Sequence, residues 1–494
     1  MIGGGALSKE TFARFPHGFG AAVLVCVLLS ACASIEPEPA MPLTPQDIQP
    51  AWSEPVLPGA GVWPSVDWWR GFSIPELDAL VRAARENNLD LAVATARVLQ
   101  AEAQTRIVRS ALFPTVGVAA TLQPQAAIAS GSTSANTLFS FGPQVSYELD
   151  FWGLARNNAR AADALLRSAR YAQETVALSV TSNVAILYLD VLALRERIAI
   201  ARNSLQTAMR VLDGIERRTA NGLSSPLDLA QQQALVAGQA AVIPALEQLE
   251  RGARYALALL LGRAPEGFLV TRQNLEEIGI PAVAAGIPSE LLTRRPDIAE
   301  AEARLLAASA NVGAARAAFF PQISLTASAG LASGAVSAVT DGLVVGGASA
   351  AAGGTGLVVG AGVAVLQTIF DAGRRQGQVD LALAEQQELV ATYRSTVFNA
   401  FANVELALGD SASLADQERF KSEQVQRATM ALDISDVQYR EGLVDLFALL
   451  QAQQTLFTAQ DELLQIKLAR IQTVVGLYKA LGGGWTQATA EAPP

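Results

Sequence analysis

Apolar residues recur at helical spacing along most of this chain, and the longest such stretch runs from Arg156 to Ala220. These 65 residues contain no proline and a single interior glycine, Gly214. One helix over this length would extend roughly 100 Å at 1.5 Å per residue. Near the C-terminus, apolar residues at intervals of 4, 7, 7, 4, 3, 4 and 3 predict a coiled-coil seam. The seam consists of Leu446, Leu450, Phe457, Leu464, Leu468, Ile471, Val475 and Tyr478.

Two charge-poor segments interrupt the helical pattern and predict β-hairpins, at about 115–151 and 322–370. In the first, Thr115 to Ala129 and Thr137 to Phe151 flank a turn rich in Gly, Ser and Asn and alternate imperfectly between apolar and polar residues. The second has a long uncharged stretch, for which a transmembrane helix is the alternative. Eight of the 21 residues in 342–362 are glycine, and each glycine costs about 1 kcal/mol in a helix, so strands are favoured.

The chain is an internal duplication. Residues 90–114 and 297–321 align without a gap at an offset of 207 and are identical at 12 of 25 positions. Both segments end in Phe-Pro, and proline disfavours helical geometry in the residue before it, so each predicts a helix that ends there. After 12 extra residues in the second hairpin, the offset settles near 220. We therefore expect a first repeat over 74–270, helical from Ile74, and a second over 271–484.

The N-terminal residues 1–31 predict a bacterial secretion signal. Lys9 and Arg14 precede an apolar run that is short for a transmembrane helix and ends in Leu-Ser-Ala-Cys. This ending resembles the lipobox of bacterial lipoproteins and predicts acylation of Cys32, by chains such as palmitate, at the start of the mature chain. A plain signal peptide with an incidental cysteine is the alternative. Ala33, where an aspartate would favour the inner membrane, favours the outer membrane.

A proline-rich linker over 32–73 follows the signal, and a tail over 485–494 ends the chain. Proline cannot donate a backbone hydrogen bond, so we expect the linker to run extended along the surface. Trp63, Trp68 and Trp69 would attach it by burial.

The charge and the residue types present exclude several functions. The net charge is -10, so the chain lacks the basic surface that a nucleic-acid partner requires. The single histidine, His17, and one of the two cysteines, Cys26, lie within the predicted signal. The mature chain would then lack the side chains for a Cys/His metal site or a His-activated nucleophile. We expect no catalytic residues, no metal and no cofactor; a carboxylate-only enzyme is the remaining enzymatic alternative.

Several motifs resemble the TolC-like outer-membrane factor family, specifically its lipoprotein branch of the OprM/NodT type. They are RRPDIAEAEARLLAASANVGAARAAFFP, the turns YELDFWGLAR and IFDAGRRQ, and the pair ANGLSSPLDLAQQQ and YREGLVDLFALLQAQ. The resemblance implies a mostly α protein with a β-barrel part. Four strands per protomer would contribute to a trimeric 12-stranded outer-membrane β-barrel, and long helices would form a periplasmic α-barrel. The homotrimer would be anchored in outer-membrane lipid.

The resemblance implies that the protein is a passive exit duct in a tripartite efflux pump, with a periplasmic adaptor (membrane fusion protein) and an inner-membrane pump of the RND type as partners. It also implies a periplasmic gate at two helical turns, with a contact between Asp228 and Tyr439 and with Asp445 nearby. Gln451 stands where an aspartate is common in the family, which suggests a weaker cation site. An ordinary capped turn is the alternative for these residues.

Two other functions fit part of the sequence. A type I secretion duct would share the fold, although the lipobox favours efflux. A structural lipoprotein that ties envelope layers together would explain Cys32 and the long helices, but it would leave the two charge-poor hairpins and the duplication unexplained.

Overall fold

The computed structural model describes most of the chain after the N-terminal segment, and the structural statements below refer to that part. The described residues are 43, 48–54, 63–129, 132–275, 278–333 and 355–486. The predicted signal peptide and Cys32 lie outside them. The chain divides into two compact units. One contains the described parts of 104–163 and 306–387, and the other contains those of 40–103, 164–305 and 388–494.

The first helical segment is broken, where the sequence predicted one helix from Ile74 to Phe113. Helix α1 spans Pro75–Asn87 and helix α2 spans Leu89–Arg109, followed by a 3-10 turn at Ser110–Leu112. Asn88 between them has an extended backbone. Its side chain accepts from the backbone N–H of Leu91 at 3.0 Å and donates to the carbonyl oxygen of Leu260 at 2.8 Å. A contact 172 residues away in sequence therefore fixes this break.

The four predicted strands form one antiparallel sheet in the order β1-β2-β3-β4. Their bounds are β1 Thr115–Ala129, β2 Ser132–Leu149, β3 Gln322–Ser333 and β4 Thr355–Leu366. The first turn is shorter than predicted, because Ser132 to Asn136 already pair with β1. Strand β4 ends at Leu366, four residues before the predicted Phe370. The transmembrane-helix alternative is wrong for the described residues of the second hairpin, since they are strands.

The long helices repeat at a constant offset of 220 residues. Helix α3 spans Leu154–Ala220 and α4 spans Pro226–Leu260, while α7 spans Arg374–Arg440 and α8 spans Leu446–Ala480. Between the copies lie the four-residue helix α5, Pro288–Leu291, and helix α6, Pro296–Ala317. The duplicated, mostly α architecture predicted from the sequence is confirmed. The seam residues of α8 are all buried or half-buried, as the spacing predicted.

Each long return helix ends in the same way. Gly262 and Gly482 follow α4 and α8 with φ of 65° and 86°, which glycine adopts without steric cost. A Cβ on either glycine would overlap a backbone carbonyl oxygen of the chain that precedes α2 or α6. At those points Asn88 donates to Leu260, and Arg295 donates to the carbonyl oxygen of Ala480 at 2.7 Å. The duplication therefore extends to individual hydrogen bonds.

The described part of the linker is attached to the larger unit by aromatic burial, as expected. Trp68 and Trp69 are 3% and 2% exposed within a 3-10 turn, and Trp68 stacks on Tyr478 with ring centroids 4.9 Å apart. Trp63 is half-buried, and Arg294 lies 4.1 Å from its ring centroid. The predicted tail begins with a packed residue, because Trp485 is 7% exposed and contacts Tyr171 edge-on.

Candidate channel sheet and helical gate

One face of the sheet is apolar across all four strands. Directly opposite residues in a sheet share a face, and Val116 of β1 pairs with Val145 of β2, which pairs with Ala327 of β3. On the same face, Tyr147 pairs with Leu325, which pairs with Val363 of β4. Several of these side chains are highly exposed, for example Val116 at 69%. An exposed apolar face of this size is suited to lipid contact.

The opposite face is polar and rich in glycine. Thr121 pairs with Ser140, and Gln144 pairs with both Gly117 and Ser328. The one charged residue in the four strands, Glu148, also lies on this face, opposite Ser324. Outer-membrane barrels have apolar residues towards lipid and polar residues towards the lumen. The sheet has that arrangement along its whole width.

A pair of glycines joins the two hairpins. A Cβ on Gly142 of β2 would overlap the carbonyl oxygen of Ala329, and a Cβ on Gly330 of β3 would overlap the carbonyl oxygen of Phe141. A Cβ on Gly117 of β1, in contrast, would meet open space. Close pairing of β2 with β3 therefore depends on the missing side chains at 142 and 330.

Aromatic residues gather where the strands meet the helices. Trp152 stacks on Phe320 with centroids 4.8 Å apart and donates its Nε1–H to the carbonyl oxygen of Pro321 at 2.7 Å. Phe113 and Phe370 are 67% and 86% exposed. Girdles of aromatic residues mark the membrane interfaces of β-barrels. The predicted helix-to-strand junctions at Phe113-Pro114 and Phe320-Pro321 are confirmed, since β1 and β3 begin at the next residues.

At the far end of the first helical pair, Asp228 is part of a capping box. Its carboxylate accepts from the backbone N–H of Ser225 at 3.0 Å and from the hydroxyl of Ser224 at 2.9 Å. Its own backbone N–H donates to Oγ of Ser225 at 3.1 Å. Pro226 occupies the first helical position, where a missing N–H has no cost. These bonds fix the turn that leads into α4.

The turn of the second copy uses a simpler cap. Asp445 is the N-cap of α8, and its carboxylate accepts from the backbone N–H of Ala448 at 3.0 Å. Gln451 lies one turn further along the helix, is exposed, and donates to the hydroxyl of Thr455 at 3.4 Å. Among the described residues, no group of three or more His, Cys, Asp or Glu side chains is arranged to hold a metal ion.

Arg218 connects the two predicted gate residues, although sequence reasoning did not identify it. Its guanidinium carbon lies 5.2 Å from the ring centroid of Tyr439. The hydrogen bond from the backbone N–H of Ser225 is the main cause that lowers the pKa of Asp228, and the positive charge of Arg218 lowers it further. No hydrogen bond joins Asp228 to Tyr439 directly within this chain. The only sequence signal for Arg218 was its place in the last, basic turn of α3.

Ion pairs and polar bonds hold the long helices side by side in the larger unit. Arg197 of α3 makes two hydrogen bonds, of 2.7 and 3.1 Å, to the carboxylate of Asp461 in α8. Asp190 of α3 accepts from Gln472 of α8 at 2.7 Å. Among the described helices, α3 alone contains a stretch long and apolar enough to cross a membrane, and 56% of that stretch is buried inside the protein. Such burial is typical of a core helix.

A sheet with one apolar and one polar face, joined to long helical hairpins, defines the class of outer-membrane channel subunits. Comparisons with known proteins agree. A family model described as outer membrane efflux protein matches residues 80–263 and 287–483. The chain is 39% identical over 478 residues to the pyoverdine export outer membrane protein OpmQ of Pseudomonas aeruginosa, covering 94% of this chain and 96% of that protein.

Solved channel structures have the same fold. The outer-membrane channel OprN matches with a TM-score of 0.81 and 28% identity, covering 91% of this chain and 99% of that one. The CmeC outer membrane channel of Campylobacter jejuni matches with a TM-score of 0.80 and 25% identity, covering 92% and 96%. The chain therefore belongs to the outer membrane efflux protein family. It is an outer-membrane efflux channel that extends into the periplasm, and it is not an enzyme; the predicted family, function and location are confirmed.

Proposed function

We propose that three copies of this chain share one 12-stranded β-barrel, which continues as an α-barrel of long helices. The observation that carries this proposal is the strand order, because β1 and β4 each pair with a single strand within the described chain. Lipid does not satisfy unpaired backbone groups, so open sheet edges are not tolerated there. Three chains of four strands close a barrel wide enough for a lumen.

In this assembly the trimer is the exit duct of a tripartite pump. The periplasmic adaptor contacts the helical end, and an inner-membrane pump of the RND type supplies small-molecule cargo. Family membership and the efflux names of the relatives support these partners. Acyl chains on Cys32 anchor each protomer in outer-membrane lipid in addition to the barrel.

Native mass spectrometry of the protein purified in detergent tests both the assembly and the anchor. We expect a complex of three mature chains, each beginning at Cys32 and carrying the mass of acyl chains. Cys32→Ala should remove the acyl mass, while the three-chain complex persists because the barrel supplies its own apolar surface. A stable monomer or dimer as the conducting species would contradict the shared barrel. A wild-type chain with unmodified Cys32 would contradict the anchor alone.

The gate proposal concerns the helical turns that contain Asp228 and Tyr439. Arg218 lies against the ring of Tyr439 and near the charge of Asp228, so the three side chains link the end of α3, the start of α4 and the end of α7. We expect this cluster, repeated three times in the trimer, to stabilise the closed state. In that state Asp228 and Tyr439 make the contact that the resemblance implies.

Single-channel recording in planar bilayers tests the gate. Asp228→Ala combined with Tyr439→Phe removes hydrogen bonds worth about 0.5 to 3 kcal/mol each, so mean conductance should rise and cells should admit large antibiotics. Ser225→Ala is the matched control, because it breaks the same capping box and keeps the carboxylate. Equal conductance in the double variant and wild type, with trimers intact, would place the gate elsewhere. An equal rise in Ser225→Ala would reduce Asp228 to a helix cap.

Ion selectivity tests the remaining two positions. Asp445→Asn keeps an oxygen for the N-cap and removes one charge per chain, so it should lower cation selectivity without raising conductance. Gln451→Asp adds a charge one turn away and should raise cation selectivity. Reversal potentials under a salt gradient measure both effects. Unchanged potentials in both variants would show that these side chains lie outside the conducting path.

A further inference from the structure

A cavity of about 440 Å³ lies among the ends of α3 and α7 and the first turns of α8. All of its walls belong to the larger unit. The lining residues of α3 include Arg210 and Arg218, those of α7 include Tyr439, and those of α8 include Gln453. A volume of this size is within the range of small-molecule sites.

The cavity contains buried polar atoms that have no partner in the protein. Gln453 is 8% exposed, and neither its amide oxygen nor its amide nitrogen makes a hydrogen bond. The Nε of Arg218 is also buried without a partner. Buried polar groups in folded proteins are nearly always hydrogen-bonded. Two donors and one acceptor thus remain available within one small cavity.

The charges and the apolar wall limit the ligand chemistry. Arg440 pairs with Asp436, which leaves Arg210 and Arg218 against Asp433 among the charged lining residues. The remaining charge is positive, and the free Nε–H of Arg218 requires an acceptor. The rest of the wall is aliphatic and aromatic. It includes Val211, Ile215, Leu432, Leu449 and Tyr439.

We propose that this cavity binds a small organic anion, namely a carboxylate with an apolar body. The carboxylate accepts from Arg218, whose guanidinium geometry suits carboxylate oxygens. Gln453 donates to, or accepts from, a second polar group on the same ligand. The apolar body lies against the aliphatic wall. The site is defined by binding alone, so the inference does not depend on the proposed gate or on the substrates of the pump.

Isothermal titration calorimetry on the full-length protein in a neutral detergent tests the proposal. The probe is 2-naphthoate, and 2-naphthamide is the uncharged analogue of the same shape. We expect wild type to bind the carboxylate at least about tenfold more tightly than the amide, because charged partners strengthen hydrogen bonds. Arg218→Gln should abolish that preference. Gln453→Leu should weaken the binding of the carboxylate.

The chain supplies matched controls for both substitutions. Arg217→Gln removes the same charge at the neighbouring residue, whose side chain is 74% exposed and pairs with Asp213. Gln233→Leu makes the same change at the exposed position equivalent to Gln453 in the first copy. Both controls should bind 2-naphthoate as wild type does. The proposal is overturned by equal affinity for the two probes, by no binding to wild type, or by equal losses in Arg217→Gln and Arg218→Gln.

Discussion

Asp228 shows how one carboxylate can serve a helix cap and a gate together. The backbone N–H of Ser225 stabilises the charged form and lowers the pKa, and Arg218 adds to this effect. A lowered pKa means that the carboxylate contributes stability above its unfolded pKa of about 3.9. That contribution is lost as the pH falls through the folded value. Acid should therefore weaken the turn at Asp228.

We expect channel opening in planar bilayers to increase as the pH is lowered below about 4. Asp228→Asn keeps one side-chain oxygen for the cap but cannot titrate, so this variant should lack most of the acid-induced change. The difference between the two pH profiles isolates Asp228 from the other carboxylates of the chain. Parallel profiles for wild type and variant would exclude Asp228 as the titrating group.

Only part of this chemistry could be read from the sequence. Ser225 followed three residues later by Asp228, with Pro226 between them, is a recognisable capping pattern. The position of Arg218 against Tyr439 could not be predicted in this way, because 221 residues separate them and no local pattern encodes the contact. Gln453 was also missed as a buried polar residue, since its neighbours in the sequence are equally polar.

Gly142 gives a second prediction at the residue scale. Gly142→Ala places a methyl group against the carbonyl oxygen of Ala329, so the β2–β3 pairing must shift. Overpacking typically costs about 1–3 kcal/mol, and heat resistance of the complex on gels should fall. Gly117→Ala is the matched control in open space and should leave heat resistance unchanged. If the two variants melted alike, the glycine pair would have no special role.

At the scale of elements, the start of α6 is held by Arg295. This side chain is 8% exposed, makes hydrogen bonds of 2.9 and 2.6 Å to the carboxylate of Asp297, and donates to Ala480 at the end of α8. Pro296 begins the helix and Asp297 lies in its first turn, as the sequence predicted from helix-end chemistry. The link to α8 was not predictable, because it joins residues 185 positions apart.

We expect Arg295→Ala to lower the free energy of unfolding by about 2–4 kcal/mol, since it leaves a partly buried carboxylate and a helix-end carbonyl oxygen without their donor. Thermal unfolding followed by circular dichroism measures the loss. Arg419→Ala removes an exposed pair, with side chains 66% and 72% exposed, and should change the midpoint little. Equal midpoints for the two variants would contradict the structural role of Arg295.

Element boundaries were predictable where local chemistry sets them. Proline and glycine placed the ends of α6 and the long helices within about two residues, because those residues restrict the backbone directly. The break at Asn88 was missed, since Leu260 holds it from a distant helix. The first hairpin turn was overestimated, because Ser and Asn at 132–136 read as turn residues although they continue the ladder with β1.

At the scale of the whole molecule, each repeat supplies half of the sheet. A chain shortened to residues 32–270 contains β1 and β2 and lacks their neighbour β3. Because backbone groups of β2 would lose their partners, this half should fail to form the conducting trimer. Size-exclusion chromatography and bilayer recording measure both properties against the full-length protein. A stable trimer that conducts like the full-length protein would contradict the shared sheet.

The equal lengths of the duplicated helices imply a rule for how such a chain can evolve. The two copies keep helices of 67 and 35 residues, although their sequences have diverged widely. Adding seven residues to one copy alone would displace its far turn by about 10 Å. Insertions in the helices must therefore arise in matched sets, while the hairpin connections at 130–131 and 334–354 changed length freely. Length in this lineage is inherited as a paired trait, and substitutions alone can alter one copy without the other.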